Sequence, residues 1–138
     1  IIDDDFLSQF ASSWSGGDAG ELVKIYSQDA ELEDSLFGIS IAGQQAIADY
    51  ANRFFARSPG AGWELLHPFA EGDASDLYKQ QYPFASQGGV FGIMVKDAGG
   101  NPCQIRAAVI LTPNDEGRIQ KHMIYYAADT LIACGWVR

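Results

Sequence analysis

Apolar residues recur at helical spacing through the first third of the chain and then give way to aliphatic and aromatic runs separated by turn-forming clusters. Phe6, Leu7, Phe10, Ala11 and Trp14 share one helical face behind Asp3, Asp4 and Asp5, so a first helix is expected from about Asp4 to Trp14 with an acidic N-terminus. Ser15, Gly16 and Gly17 stop it. Asp18 with Glu21 three residues later resembles a capping box and predicts a second helix whose buried stripe is Leu22, Ile25 and Tyr26. Gly43 opens a third helix, in which Ala46, Ile47, Tyr50, Ala51, Phe54 and Phe55 make a broad aromatic face before SPGAG ends it.

Between the second and third helices the period changes to two. In AELED, Ala30 and Leu32 alternate with Glu31 and Glu33, the pattern of a strand with one buried face, and the alternation carries Asp34 onto the Leu32 side. A carboxylate there is either desolvated or paired, which favours a chemical role, or it caps the turn into Ser35. Both readings fit the sequence.

Beyond SPGAG the chain reads as sheet. Trp63 to Phe69, Leu77 to Phe84, Val90 to Lys96, Cys103 to Thr112 and Arg118 to Ala127 are separated by EGDASD, ASQGG, DAGGN and PNDEG. Such short connections predict antiparallel hairpins in a meander, with Pro83 at a bulge or edge. A last helical turn is expected before Gly135. Helices followed by a meander give an α+β protein: three N-terminal helices packed on a curved, mostly antiparallel sheet that forms a cone with an internal apolar pocket. The whole of 1–138 reads as a single domain, with no repeat or linker.

Composition narrows the classes of function. A net charge of −9 disfavours nucleic acid and anionic lipid as partners, since both require clustered cations. No apolar run approaches the roughly 18 residues of a membrane span, and no secretory leader is visible at the start, although a chain beginning at Ile1 suggests residues upstream. Cytoplasmic localisation is the resulting expectation. Cys103 and Cys134 have no His at ligand spacing and read as buried thiols; their spacing leaves a disulfide open, which a cytoplasmic setting disfavours.

In order and in local residues the chain resembles the nuclear transport factor two-like superfamily, which includes ketosteroid isomerases, SnoaL-type polyketide cyclases and limonene epoxide hydrolase. The resemblance rests on WSGGD at Trp14 to Asp18, YSQDAELED at Tyr26 to Asp34, GQQAI at Gly43 to Ile47 and EGRIQKH at Glu116 to His122. It implies that Asp34 stands where ketosteroid isomerases keep their general base. It also implies that their oxyanion-hole donors, a Tyr and a protonated Asp, are replaced by Phe10 and Val109, which makes steroid isomerisation proper an unexpected activity. The carboxylate and arginine positions of the epoxide hydrolase correspond to Gln81, Pro83 and Ile124, and the acidic residue of the cyclases has no counterpart on the last strand, Asp129 lying past it.

The family turn at Gly117 places His122, Ile124 and Tyr126 on the pocket face and Lys121, Met123 and Tyr125 outside, although a one-residue bulge would reverse this. Asp34 as base and His122 as acid form the candidate catalytic pair. Phe10, Trp14, Tyr50, Phe54, Val109 and Tyr126 are the candidate ligand-binding wall. His67 and Tyr78 are secondary candidates, and Lys79 and Arg106 are expected outside. These assignments predict a small-molecule isomerase, lyase or cyclase acting on a hydrophobic carbonyl compound without metal or organic cofactor. The alternative is a non-catalytic ligand-binding or dimerisation module, and a protein-binding adaptor rests on fold analogy alone. Met123 and Tyr125 on the convex face predict a homodimer.

Overall fold

The computed structural model describes residues 4–69 and 87–137. Helix α1 (Asp4–Ser15) is followed by a short helix α2 (Ala19–Leu22), a 3₁₀ turn (Val23–Ile25) and strand β1 (Tyr26–Asp34). Strand β2 (Ile39–Ala42) leads into α3 (Gln44–Arg57), and strands β3 (Gly62–Pro68), β4 (Gln87–Lys96), β5 (Pro102–Pro113) and β6 (Ile119–Tyr126) precede helix α4 (Ala128–Ala133). The strands form one curved six-stranded sheet in the order β2-β1-β6-β5-β4-β3. Among the described strands only the β1–β6 pair is parallel; the other neighbours run antiparallel. This is the expected α+β cone.

Local chemistry accounts for the element boundaries. The Asp18 side chain accepts a hydrogen bond from the Glu21 amide at 3.1 Å and so starts α2. That helix ends sooner than its apolar spacing suggests. The 3₁₀ turn intervenes, and Tyr26, expected on the helical stripe, is instead the first residue of β1, paired with Ile119 and fully buried. Gly43 begins α3 at φ 95°, a conformation that strains any side-chain-bearing residue. In β1 the alternation holds, with Ala30, Leu32 and Asp34 buried.

Strand β3 pairs directly with β4. The expected strand from Leu77 to Phe84, with Tyr78, Lys79, Gln81 and Pro83, lies outside the described residues. The expected free thiols are corrected: Cys103 on β5 and Cys134 after α4 are joined in a disulfide. Helix α4 doubles back along β5, where the Thr130 hydroxyl accepts from the Arg106 amide at 3.0 Å, and this return closes a gap that sequence spacing does not reveal.

Among the described residues, aromatic side chains pack together on the concave face. Phe10 from α1 meets Trp63, Phe91 and His122 edge-on at centroid distances of 5.9, 5.3 and 5.3 Å, and Trp14 lies 5.5 Å from Trp63. Burial of each such ring stabilises the fold by roughly 1.5–3 kcal/mol, with about 0.5–1.5 kcal/mol more for each well-placed ring pair. Trp63 and Phe91 thus pack beside Phe10, and Trp63 beside Trp14, among the residues the sequence expected as pocket wall.

Candidate functional site

Strand register places Leu32 beside His122 and Asp34 beside Ile124. Asp34 and His122 thus share the helix-covered face, two residues apart along adjacent strands, but their surroundings differ. His122 is in the closed core. Its Nδ1 is 2.8 Å from the Tyr26 hydroxyl, whose oxygen also accepts from Trp14 Nε1 at 3.1 Å. With that oxygen already accepting, the Tyr26 O–H is free to donate to Nδ1, which assigns the imidazole proton to Nε2. Burial pushes the His122 pKa down to about 3, so the ring is neutral near neutral pH and holds no second proton to deliver. Its Nε2 and the Nε1 of Trp63 are buried without a hydrogen-bond partner.

Asp34 lies at the end of β1, fully buried, between two recesses. Its Oδ1 accepts from the Phe37 amide at 3.2 Å and its Oδ2 from the Tyr50 hydroxyl at 3.1 Å. The Tyr50 hydroxyl is in turn 3.5 Å from that of Tyr126. The sequence offered a turn cap or a proton-handling group, and the geometry combines the two. One carboxylate oxygen fixes the turn into Phe37, and the other faces a tyrosine pair. Desolvation raises the Asp34 pKa, against the opposing pull of hydrogen bonds from Phe37, Tyr50 and Leu36. Burial likewise raises Tyr50, and raises Tyr126 to about 12, so both phenols keep their protons.

The tyrosine pair opens onto a recess of about 270 Å³. Helix α3 supplies Tyr50, Arg53, Phe54 and Arg57, a run at i, i+3, i+4 and i+7 that forms one helical face. Phe37 and Ile39 close one side, with Tyr126 at the end of β6 and Trp136 from the segment after α4 on the others. Arg57 Nη2 donates to the Trp136 carbonyl at 2.7 Å and its guanidinium lies 4.2 Å over the indole, holding that segment in place. The second recess, about 240 Å³, is bordered by Asp34 with Glu33, Ser35, Ser40, Met123 and Tyr125.

Of the residues expected at the site, the structure brings Tyr50, Phe54 and Tyr126 together at the recess, with Asp34 behind Tyr50. It places Phe10, Trp14, Val109 and His122 in the sealed core, each no more than 1% exposed. Arg53, Arg57, Phe37 and Trp136 were not foreseen. The helical spacing of the two arginines from Tyr50 was the available signal, whereas nothing local to Trp136 indicates that α4 doubles back. On the outer face, Lys121 reaches Glu31 at 3.1 Å and Glu33 at 2.9 Å. Asp129 lies in the first turn of α4. Among the described residues no three His, Cys, Asp or Glu side chains are grouped to hold a metal ion, and no helix is long and apolar enough to cross a membrane.

A curved sheet of this strand order, with helices α1 and α3 packed against it and a buried carboxylate at the end of the first strand, defines a ketosteroid isomerase-like cone. Residues 7–122 match the SnoaL-like domain, and the chain belongs to that family. Among solved structures it resembles a protein of ketosteroid isomerase-like fold from Catenulispora acidiphila, crystallised with trimethylamine, at TM-score 0.73 and 18% identity over 99% of this chain and 96% of the other. It also resembles a SnoaL-like polyketide cyclase, so described in its structure, from Shewanella putrefaciens, at TM-score 0.69 and 14% identity over 100% and 88% of the two chains. The pinacolase BvnE from Penicillium brevicompactum aligns at TM-score 0.71 and 12% identity over 94% and 88%. At these identities the likeness concerns the fold alone. No curated protein sequence matches the chain significantly.

Proposed function

We propose that the chain is a small-molecule isomerase, lyase or cyclase that moves a proton on a hydrophobic carbonyl compound bound in the Tyr50–Tyr126 recess. The observation that carries this reading is the buried Asp34 carboxylate, hydrogen-bonded to a tyrosine whose ring lines an aromatic-walled cavity. Desolvation makes the carboxylate a stronger base than an exposed one. Its route to the ligand runs through Tyr50: the phenol oxygen takes a proton from the carbon beside the carbonyl while its own proton passes to Asp34 Oδ2. Reversal of the relay returns the proton at another position. Tyr126, which stays protonated, donates to the carbonyl oxygen as negative charge develops there. The acid role that the sequence assigned to His122 passes in this proposal to Tyr126, because His122 is enclosed in the core and does not line the recess.

A thermal-shift screen of the wild type and Asp34→Asn against cyclic ketones, terpenoid epoxides, aromatic polyketides and steroids tests the reading, since binding to the native state raises the melting temperature by mass action. A ligand that stabilises both proteins and is turned over by the wild type alone, with kcat in the variant lower by about a hundredfold or more, supports it. Equal turnover by the variant overturns the mechanism.

The apolar Phe10 and Val109, fully buried and without side-chain donors, favour a second reading, a ligand-binding module without turnover. Binding without reaction across the panel would select it. We also infer a homodimer through the outer sheet face, where Met123 and Tyr125 from β6 and the exposed Met94 from β4 are presented. The disulfide supports an oxidising environment rather than the cytoplasm expected from the sequence.

A further inference from the structure

The recess is unusual in charge. The chain carries 18 acidic and 9 basic residues, yet two arginines and no acid line this cavity, with Asp34 set behind Tyr50. Arg57 is engaged with Trp136 through its hydrogen bond and stacking. Among the described residues Arg53 has no hydrogen-bond or ion-pair partner. Asp49, one turn earlier on α3, stands at the i,i+4 spacing that usually pairs with a cation, but its carboxylate accepts from Gln45 at 3.0 Å instead. Arg53 and Arg57 are themselves at i,i+4, an arrangement that is unfavourable for like charges unless an anion lies between them.

We propose that the ligand of this recess is a compact hydrophobic carboxylate whose anionic end is held by Arg53. The inference rests on the recess being the ligand site and adds to it the charge and size of the ligand. Arg53 follows Tyr50 by three residues on the same helical face, so their Cβ atoms lie about 5–6 Å apart. A carboxylate at Arg53 and a reacting carbonyl at Tyr50 and Tyr126 are therefore separated by a short carbon framework, and the aromatic walls of Phe37, Phe54 and Trp136 cover it. The volume of about 270 Å³ is below the roughly 300–1,000 Å³ of sites for drug-sized ligands, which points to one or two rings rather than a steroid nucleus. Arg53 positions the substrate, and the guanidinium fork suits a carboxylate better than an uncharged oxygen does.

Isothermal titration of the full chain with 2-naphthoate and with its neutral counterpart 2-naphthamide, at pH 7 and low salt, tests this in wild type and Arg53→Gln. The expected result is naphthoate bound at least about tenfold more tightly than the amide by the wild type, with that preference lost in Arg53→Gln and the amide affinity unchanged. Equal affinity of the wild type for the two probes overturns the assignment of charge while leaving the recess as a ligand site. Equal weakening of both probes by the substitution also overturns it, since Arg53 would then act on the shape of the site. Absence of binding by either probe overturns both this proposal and the recess as the ligand site.

Discussion

Tyr50→Phe removes one hydroxyl and leaves a ring of nearly the same shape, still edge-on to Trp14 at a centroid distance of about 6.1 Å. The lost group is the donor to Asp34 Oδ2. A hydrogen bond to a charged group contributes roughly 1.5–3 kcal/mol, and the 3.1 Å separation, long for an O–H···O bond, places this one near the lower limit. About 1.4 kcal/mol corresponds to a tenfold change in an equilibrium constant. The Asp34 ionisation constant should therefore fall about tenfold in Tyr50→Phe, moving its titration to higher pH, because burial already disfavours the charged form and the variant removes one of the bonds opposing it. Carbon-13 NMR of the aspartate carboxyl carbons across a pH series reads this directly. A titration that stays in place or moves to lower pH would refute the reasoning, since it would mean that Tyr50 does not stabilise the carboxylate.

Acid should destabilise the fold through His122. An unfolded histidine titrates near its ordinary 6.5, whereas the folded ring is held at about 3, so stability is fully present above the unfolded value and declines as pH falls between the two. Between pH 7 and pH 5 this amounts to about 2 kcal/mol; urea melts should show that loss in the wild type and lack it in His122→Gln, and equal losses would count against a buried neutral imidazole. For the outer-face homodimer, light scattering at micromolar concentration should give twice the chain mass, and a purely monomeric profile would count against the association.

The parts of the fold that were legible in the sequence depend on contacts near in sequence. The α1 face from Phe6 to Trp14, the Asp18 cap and the Ala30–Leu32–Asp34 alternation each arise from side-chain direction within one element, and a single period suffices to read them. Tyr26 misled because its apolar ring suits either a helical stripe or a strand start, and its ladder partner, Ile119, is far away in sequence. The same limitation hid the aromatic cluster: nothing near Phe10 and Trp14 in sequence shows that Trp63 and Phe91 pack against them. At the site, Asp34 was found from β1 alone and Tyr50 from α3 alone. Their hydrogen bond, the arginines' shared cavity and the Cys103–Cys134 bond depend on how separate elements dock, which hydrophobic spacing does not encode.

That disulfide divides the recess into two parts with different anchors. Asp34, Tyr50 and Tyr126 sit on a strand end, a helix and a second strand, positions fixed by ladders and core packing. Trp136 stands two residues beyond Cys134, on a segment tied covalently to β5 across a sequence separation of 31 residues. On that segment Trp136 packs against Phe54 and under the Arg57 guanidinium. The recess thus joins one wall, Trp136, held by a covalent tie, to a frame of helix and strand that carries the tyrosine pair.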